Sequence, residues 1–173
     1  DAGELLRRAD TAMYRAKKRN TSFQFFEEGM EATATAHLRL EGALRRALER
    51  DELVVYFQPI ANSANGQVLG MEALVRWHHP TRGLVSPDEF ISLAEETGLI
   101  IPIGEWVLHT ACRQLKKWHD AGEKSLYVAV NLSGLQLQQA DFIDTLRKVL
   151  RDTGLDPHSL TLEITESMLM DHV

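Results

Sequence analysis

Residues 70–77 read GMEALVRW and are apolar except for one glutamate and one arginine. Side chains of a β-strand point alternately to opposite faces. A strand here therefore places Glu72, Leu74 and Arg76 on one face and the residues between them on the other. The two charged side chains could form a weak ion pair on an exposed sheet face, which would add little to the stability of the fold. Alternatively, they could be part of a functional site.

The sequence around this stretch predicts an α/β fold. Strands are predicted at 53–60, 68–77, 126–131 and 160–164. The turn-rich NSANG between the first two predicts a hairpin. Helices are predicted from a capping box at Ser86 with Pro87 at its first position, from Pro102 to near Gly122, and from Asp141 to Gly154. A hairpin followed by strand–helix–strand repeats predicts a mostly parallel sheet.

The first 50 residues follow a different pattern. Apolar residues recur at helical spacing over 3–18 and again over 27–50, and the aromatic run Phe23 to Phe26 between them suits one short strand. These elements have no evident partners in the sequence. We therefore expect the chain to be part of something longer, with 27–50 as a connecting helix.

Composition bounds the function. The 173 residues carry a net charge of −6, which argues against broad nucleic-acid binding but permits a small anionic ligand held by a few cations. The single cysteine, Cys112, excludes a disulfide framework and a CxxC zinc site, and we expect it to be a core thiol. No apolar run approaches the roughly 20 residues of a membrane span. We expect a cytoplasmic location with no DNA partner and no membrane contact by this segment.

Oxygen-bearing side chains lie toward the ends of the later strands. Asn131 ends one predicted strand, and Glu163 and Glu166 lie at the end of another. Each has a simpler interpretation: a cap on the next turn, a solvent-facing strand residue, or a favourable charge at a helix N-terminus. However, the carboxyl edge of an α/β sheet is where sites assemble. Glu72, Asn131 and Glu163 together offer only oxygen donors and would suit Mg²⁺, Mn²⁺ or Ca²⁺ better than zinc or copper.

The histidine pair that follows residues 70–77 does not suggest a metal site. His78 and His79 are adjacent and precede Pro80, so we expect them at a turn or on the surface.

Several ordered motifs resemble those of EAL domains, the bacterial phosphodiesterases of cyclic di-GMP. The segment EALVRW at 72–77 resembles the signature of that family. It is accompanied, in the order and with spacing like the family's, by YFQPI at 56–60, SPDEFI at 86–91, VNLS at 130–133 and LEITES at 162–167. Residues 9–17 resemble the last helix of a GGDEF domain, although Asn20 stands where a glycine is usual.

This resemblance implies a modified TIM barrel in which Glu72, Asn131 and Glu163 are metal ligands. It further implies that Arg76 holds a phosphate and that Gln58 and Leu74 line the nucleotide site. Glu72 and Glu166 would be catalytic, Glu166 by supporting a loop. Two Mg²⁺ or Mn²⁺ ions would activate water and stabilise phosphoryl charge, opening cyclic di-GMP to linear pGpG.

The resemblance also predicts the domain boundaries. Residues 1–26 would be the C-terminal end of a GGDEF domain, 27–50 an interdomain linker helix, and 51–173 the N-terminal portion of an EAL domain. A TIM barrel typically needs about 250 residues, and 51–173 supplies about half of that. We therefore expect an incomplete barrel that is inactive alone, because it lacks the family's later aspartate pair, lysine, glutamate and glutamine. The parent protein could be anchored to a membrane through upstream regions that are absent here.

Two alternatives remain at this point. The parent could be a degenerate EAL receptor that binds cyclic di-GMP without cleaving it. Alternatively, the segment could act mainly as a linker and dimerisation module through the apolar positions of 27–50. Since an incomplete barrel exposes strand edges, we also expect self-association, for example as a homodimer.

Overall fold

The computed structural model describes residues 1–18, 22–27 and 30–164. The chain divides into two compact units, Asp1–Leu44 and Arg45–Val173, and each is described by itself. No helix among the described residues is long and apolar enough to cross a membrane.

The first unit is helical. Helix α1 spans Ala2–Lys18, as its periodicity predicts, and helix α2 spans Met30–Ala47, within the predicted 27–50. The strand predicted at Phe23 to Phe26 is wrong. A strand needs a neighbour to satisfy its backbone groups, and the described residues of this unit include no strand. The aromatic rings instead contact one another, Phe23 and Phe25 edge to face at 5.7 Å.

The second unit contains a five-stranded sheet among its described residues. Its strands are β1 (Leu53–Ala61), β2 (Val68–His79), β3 (Gly83–Val85), β4 (Tyr127–Leu132) and β5 (Leu160–Ile164). The order is β1-β2-β4-β5, and β3 pairs with the end of β2. Strands β1 and β2 form the predicted antiparallel hairpin, and β2, β4 and β5 are parallel. The predicted α/β fold is confirmed, and the sheet is mixed, with two parallel and two antiparallel pairings among the described strands.

Helices connect these strands: α3 (Pro87–Thr97), α4 (Ile100–Asp120), α5 (Gly134–Leu137) and α6 (Phe142–Thr153), followed by a 3₁₀ turn at Pro157–Ser159. Helix α6 ends as predicted at Gly154, whose φ of 65° is favoured by glycine. Helix α4 begins two residues before Pro102, which its first turn tolerates.

The capping box predicted at Ser86 is wrong, since the Ser86 side chain makes no capping hydrogen bond. A competing ion pair accounts for the Glu89 half of the box. Both carboxylate oxygens of Glu89 accept from Arg82 Nη2, at 2.9 and 3.0 Å, so this carboxylate is already engaged. Helix α3 begins with proline at its first position, as predicted.

The helices pack on one face of the sheet. On that face the fully buried Trp77 meets Phe90 of α3 edge to face at 5.9 Å, and Phe57 meets Trp118 of α4 at 5.0 Å. Trp77 Nε1 donates to Glu52 Oε2 at 3.1 Å, which satisfies the indole. Side chains at alternate positions, Glu72 among them, therefore lie on the other face.

The expectation for Cys112 is confirmed. It is fully buried in α4. Burial raises the pKa of its thiol to about 11, so the thiol is protonated at neutral pH and is a poor nucleophile.

Candidate functional site

The sheet register places four of the predicted site residues on one face. Gln58 of β1 lies opposite Glu72 of β2, and Asn131 of β4 lies opposite Glu163 of β5. Ala129 lies opposite Glu72, so Asn131 is one step of two residues further along the same face. Residues paired directly across strands point to the same side. All four therefore share the face that the helices leave uncovered.

Glu72 and Asn131 are in direct contact. Asn131 Nδ2 donates a hydrogen bond of 2.8 Å to Glu72 Oε1. Because the acceptor is a carboxylate, this bond is stronger than one between neutral groups. The simpler interpretation of Asn131 as a helix cap is wrong, because α5 is capped by Ser133, whose Oγ accepts from Gln136 N.

Glu163 of β5 lies on the same face, on the far side of Asn131 from Glu72. Its side chain is exposed and has no hydrogen bond or ion pair within the described part of the chain. Neighbouring strands lie about 4.8 Å apart and successive residues of a strand about 3.3 Å apart, so the backbones of Glu72 and Glu163, two strands across and two residues along from each other, are separated by about 12 Å, with Asn131 between them. This spacing leaves room for cations between the two carboxylates.

Arg76 and Leu74 lie further along β2 on the same face and are half-buried. The ion pair between Glu72 and Arg76 that the sequence left open is not formed, and Arg76 joins no ion pair within the described ranges. Its Nη1 donates to the Val75 carbonyl oxygen at 2.8 Å. The guanidinium lies 5.8 Å from the centre of the Tyr56 ring, so a cation without a counter-ion in this part of the chain faces the site.

A cavity of about 250 Å³ lies next to these residues, between the ends of β2 and β4 and the helices α3, α4 and α5 that cover the other face. Leu74, Arg76 and Asn131 line one part of it, and apolar side chains such as Ile91 and Ile103 line the rest. A cavity of mostly apolar lining with few polar groups is typical of a small-molecule site.

Two residues near Arg76 were not predicted as site residues. The Tyr56 hydroxyl and His78 Nε2 lie 3.1 Å apart, and His78 lies within β2 and is exposed, which agrees with the surface position expected for it. The available signal was the alternation of the hairpin, which puts Tyr56, Arg76 and His78 on one face. Glu166, by contrast, lies outside the described residues.

The chemistry of the donor set decides which cation it fits. Within the described part of the chain, no three His, Cys, Asp or Glu side chains form a metal-binding group. The candidate ligands are instead two carboxylates and one amide, which supply oxygen donors alone. Mg²⁺ and Mn²⁺ prefer such donors, and zinc and copper prefer nitrogen and sulfur. The residues present therefore fit a hard divalent cation.

The chain matches a known protein family and curated proteins that resemble it over most of its length. The profile of the EAL domain matches residues 41–173. The chain is 48% identical over 168 residues to the bifunctional diguanylate cyclase/cyclic di-GMP phosphodiesterase MucR of Pseudomonas aeruginosa, which covers 96% of this chain and 24% of that protein. It is 42% identical over 173 residues to the cyclic di-GMP phosphodiesterase PdeR of Escherichia coli, covering 99% and 26%. The chain thus spans about a quarter of the length of these two curated relatives.

Solved structures share the fold as well. A PaMucR phosphodiesterase in complex with c-di-GMP superimposes with a TM-score of 0.75 at 48% identity, over 78% of this chain and 54% of that one. The Xanthomonas citri FimX EAL domain in complex with c-diGMP has a TM-score of 0.70 at 29% identity, over 82% and 55%. The chain therefore matches about half of each of these structures.

Proposed function

Because the chain belongs to the EAL domain family, we propose that it forms part of a phosphodiesterase that hydrolyses cyclic di-GMP to linear pGpG. The observation that carries this proposal is the contact between Glu72 and Asn131 beside Glu163, on the open face of the sheet. Two relatives that match nearly the whole chain are named cyclic di-GMP phosphodiesterases, which supports the same activity here.

In this proposal Glu72, Asn131 and Glu163 hold Mg²⁺ or Mn²⁺. When bound, two such ions would activate water and stabilise charge on the phosphoryl oxygens. The Asn131 amide orients the Glu72 carboxylate through the bond from Nδ2 to Oε1. This bond leaves Glu72 Oε2 and Asn131 Oδ1 as oxygens available to a cation.

The remaining roles concern the nucleotide. Arg76 would bind a phosphate oxygen, since its charge is not spent on an ion pair within the described ranges. Leu74 would provide an apolar surface for a base at the cavity, and Gln58, opposite Glu72 and exposed, would contact the nucleotide. Glu166 would support a loop at the site.

We further propose the domain organisation that the motifs predict. Residues 1–26 would end a GGDEF domain, 27–50 would be the linker helix, and 51–173 would begin an incomplete EAL barrel. Helices α1 and α2 lie within the first two of these ranges. A relative named as a bifunctional diguanylate cyclase and phosphodiesterase aligns with 96% of the chain, which supports the order of domains.

The proposal is tested by calorimetric titration of cyclic di-GMP into the chain, with Mg²⁺ and with EDTA. We expect binding that is stronger with Mg²⁺ and that Arg76→Ala weakens. Arg113→Ala, which removes an exposed arginine on α4, serves as the control and should bind like the wild type. We expect no release of pGpG by this chain alone. Absence of cyclic di-GMP binding, or equal binding by both arginine variants, would count against the proposed function.

A further inference from the structure

We propose that Tyr56 is a positioning residue that holds the Arg76 guanidinium over the open face of the sheet, and that His78 holds Tyr56 in turn. The inference rests on the proposed function, in which Arg76 binds a phosphate of the nucleotide. It adds two residues to the site whose roles neither the motifs nor the relatives specify.

The three side chains form a continuous set across the hairpin. Tyr56 of β1 is paired with Leu74 of β2, and Arg76 and His78 follow at successive positions of the same face. The tyrosine side chain extends along β2, so that its ring lies 5.8 Å from the Arg76 guanidinium carbon and its hydroxyl lies 3.1 Å from His78 Nε2. The Tyr56 and His78 rings are 6.0 Å apart.

Arg76 has few other restraints. Its guanidinium donates from Nη1 to the Val75 carbonyl oxygen at 2.8 Å, and no carboxylate pairs with it within the described ranges. An arginine side chain loses considerable rotamer freedom when it is ordered. A ring that lies beside the guanidinium restricts those rotamers without using the N–H donors of the arginine. The remaining donors therefore stay available for phosphate oxygens.

His78 acts on the tyrosine and not on the arginine. Tyr56 is 47% exposed, so packing alone does not fix its ring. The contact with His78 Nε2 anchors the far end of the side chain, and the His78 backbone N–H itself donates to the Glu52 carbonyl oxygen at 2.8 Å. The anchor thus belongs to the ordered backbone of the hairpin.

The test compares Tyr56→Leu, which removes the ring, with Tyr56→Phe, which keeps it. The first readout is the NMR shift of the Arg76 Nε–H proton without ligand, assigned with Arg76→Lys. We expect a ring-current shift in the wild type, a reduced shift in Tyr56→Phe and in His78→Ala because the anchor is lost, and none in Tyr56→Leu. Tyr127→Leu removes a tyrosine from the opposite end of the same face and should leave the shift unchanged.

The second readout is the Kd for cyclic di-GMP with Mg²⁺. A cation–π contact at an exposed site corresponds to about a two- to five-fold change in affinity. We expect Tyr56→Leu to raise the Kd by that factor, and Tyr56→Phe and His78→Ala, which keep the ring but lose its anchor, to raise it by less. In an Arg76→Ala background, Tyr56→Leu should have no further effect, because the ring acts through the arginine.

The outcomes separate the two proposals. An Arg76 shift that is the same in the wild type and in Tyr56→Leu would overturn the positioning role, whatever the chain binds. An equal loss of affinity from Tyr56→Leu with and without Arg76 would also overturn it. If the shift behaves as expected but the wild type binds no cyclic di-GMP, the positioning contact is supported and the proposed function is the part that fails.

Discussion

Asn131 Nδ2 donates to Glu72 Oε1 at 2.8 Å although the two residues are 59 positions apart in the chain. Their strands, β2 and β4, are parallel neighbours, and the whole of α3 and α4 lies between them in sequence. The connection returns the chain to the same sheet edge, which is how an α/β sheet gathers distant residues into one site. A change of charge at either residue of this bond should therefore alter the stability of the site.

Asn131→Asp should make stability depend on divalent metal. The change replaces the donor with a second carboxylate next to Glu72, and like charges about 4 Å apart in water repel by about 1 kcal/mol. In EDTA we expect Tm to fall by about 2–4 °C. Saturating Mg²⁺ should reverse the loss, because the cation neutralises both carboxylates.

The measurement is thermal unfolding with EDTA and with Mg²⁺. Asn131→Ala, which also removes the bond but adds no charge, is the control and should show no recovery beyond the wild type's own response to Mg²⁺. If the Asn131→Asp variant had the same Tm in EDTA and in Mg²⁺, that result would contradict the placement of a cation here.

Gly104→Ala should destabilise the second unit. A Cβ at this position of α4 would lie 2.0 Å from Gln136 Nε2 and 2.5 Å from its Cδ. Gln136 cannot move freely, since it is only 4% exposed and its Oε1 accepts from Ser133 N at 3.1 Å. We expect a loss of about 1–3 kcal/mol in the free energy of unfolding, measured in urea.

The double variant identifies the cause. If the cost of Gly104→Ala is the clash with Gln136, then adding Gln136→Ala should cost less than the sum of the two single changes. Strict additivity would show that the glycine is needed for another reason.

The Cys112 thiol should be far less reactive in the folded chain than in the unfolded one. Burial raises its pKa from 9.0 to about 11. At pH 8 the thiolate fraction is then about a hundred-fold lower in the folded state. Reaction with a disulfide reagent, followed by absorbance with and without urea, should show at least that ratio, and equal rates would contradict the burial.

The same pKa shift determines whether stability rises or falls with pH. The folded thiol keeps its proton at a pH where the unfolded thiol has lost it, so the contribution of Cys112 to stability falls as pH rises from about 9 to about 11. Urea unfolding across this window should show a steeper fall in the wild type than in Cys112→Ala. A steeper fall in the variant would have the wrong sign.

Self-association should depend on a sheet edge. Among the described strands, β5 has a neighbour on one side alone, and its Ile164 is 45% exposed. An unpaired apolar edge favours pairing with another chain, which a charge opposes. We expect Ile164→Lys to lower the sedimentation coefficient at high concentration. Ile143→Lys, at a residue 54% exposed on α6, should leave it unchanged, and a monomeric wild type would contradict the prediction.

The alternation of residues 70–77 was enough to predict which face Glu72, Leu74 and Arg76 share, because strand periodicity is local and strict. Likewise, the end of α6 before Gly154 follows from local backbone chemistry and was predicted. The register between β1 and β2 could also be predicted in part, since the NSANG turn limits how these two strands can pair.

The sequence alone could not predict which side chains compete for the same partner. The Glu89 half of the Ser86 capping box failed because Arg82 occupies Glu89, and the aromatic strand before α2 failed because the described residues of its unit offer no strand to pair with. The partnership of Tyr56 with His78 was missed because it depends on a long side chain reaching past Arg76. Such contacts are set by three-dimensional geometry and not by local propensity.

In the proposed site Glu72, Asn131 and Glu163 together bind a divalent cation, and titration of the chain with Mn²⁺, followed by electron paramagnetic resonance of the free ion, measures that binding. We predict binding by the wild type that weakens by about tenfold or more in Glu72→Gln and in Glu163→Gln. Glu123→Gln, at an exposed residue of the loop before β4, should bind like the wild type. Equal Mn²⁺ affinity in all four proteins, or no binding by any, would show that these three residues do not form a cation site.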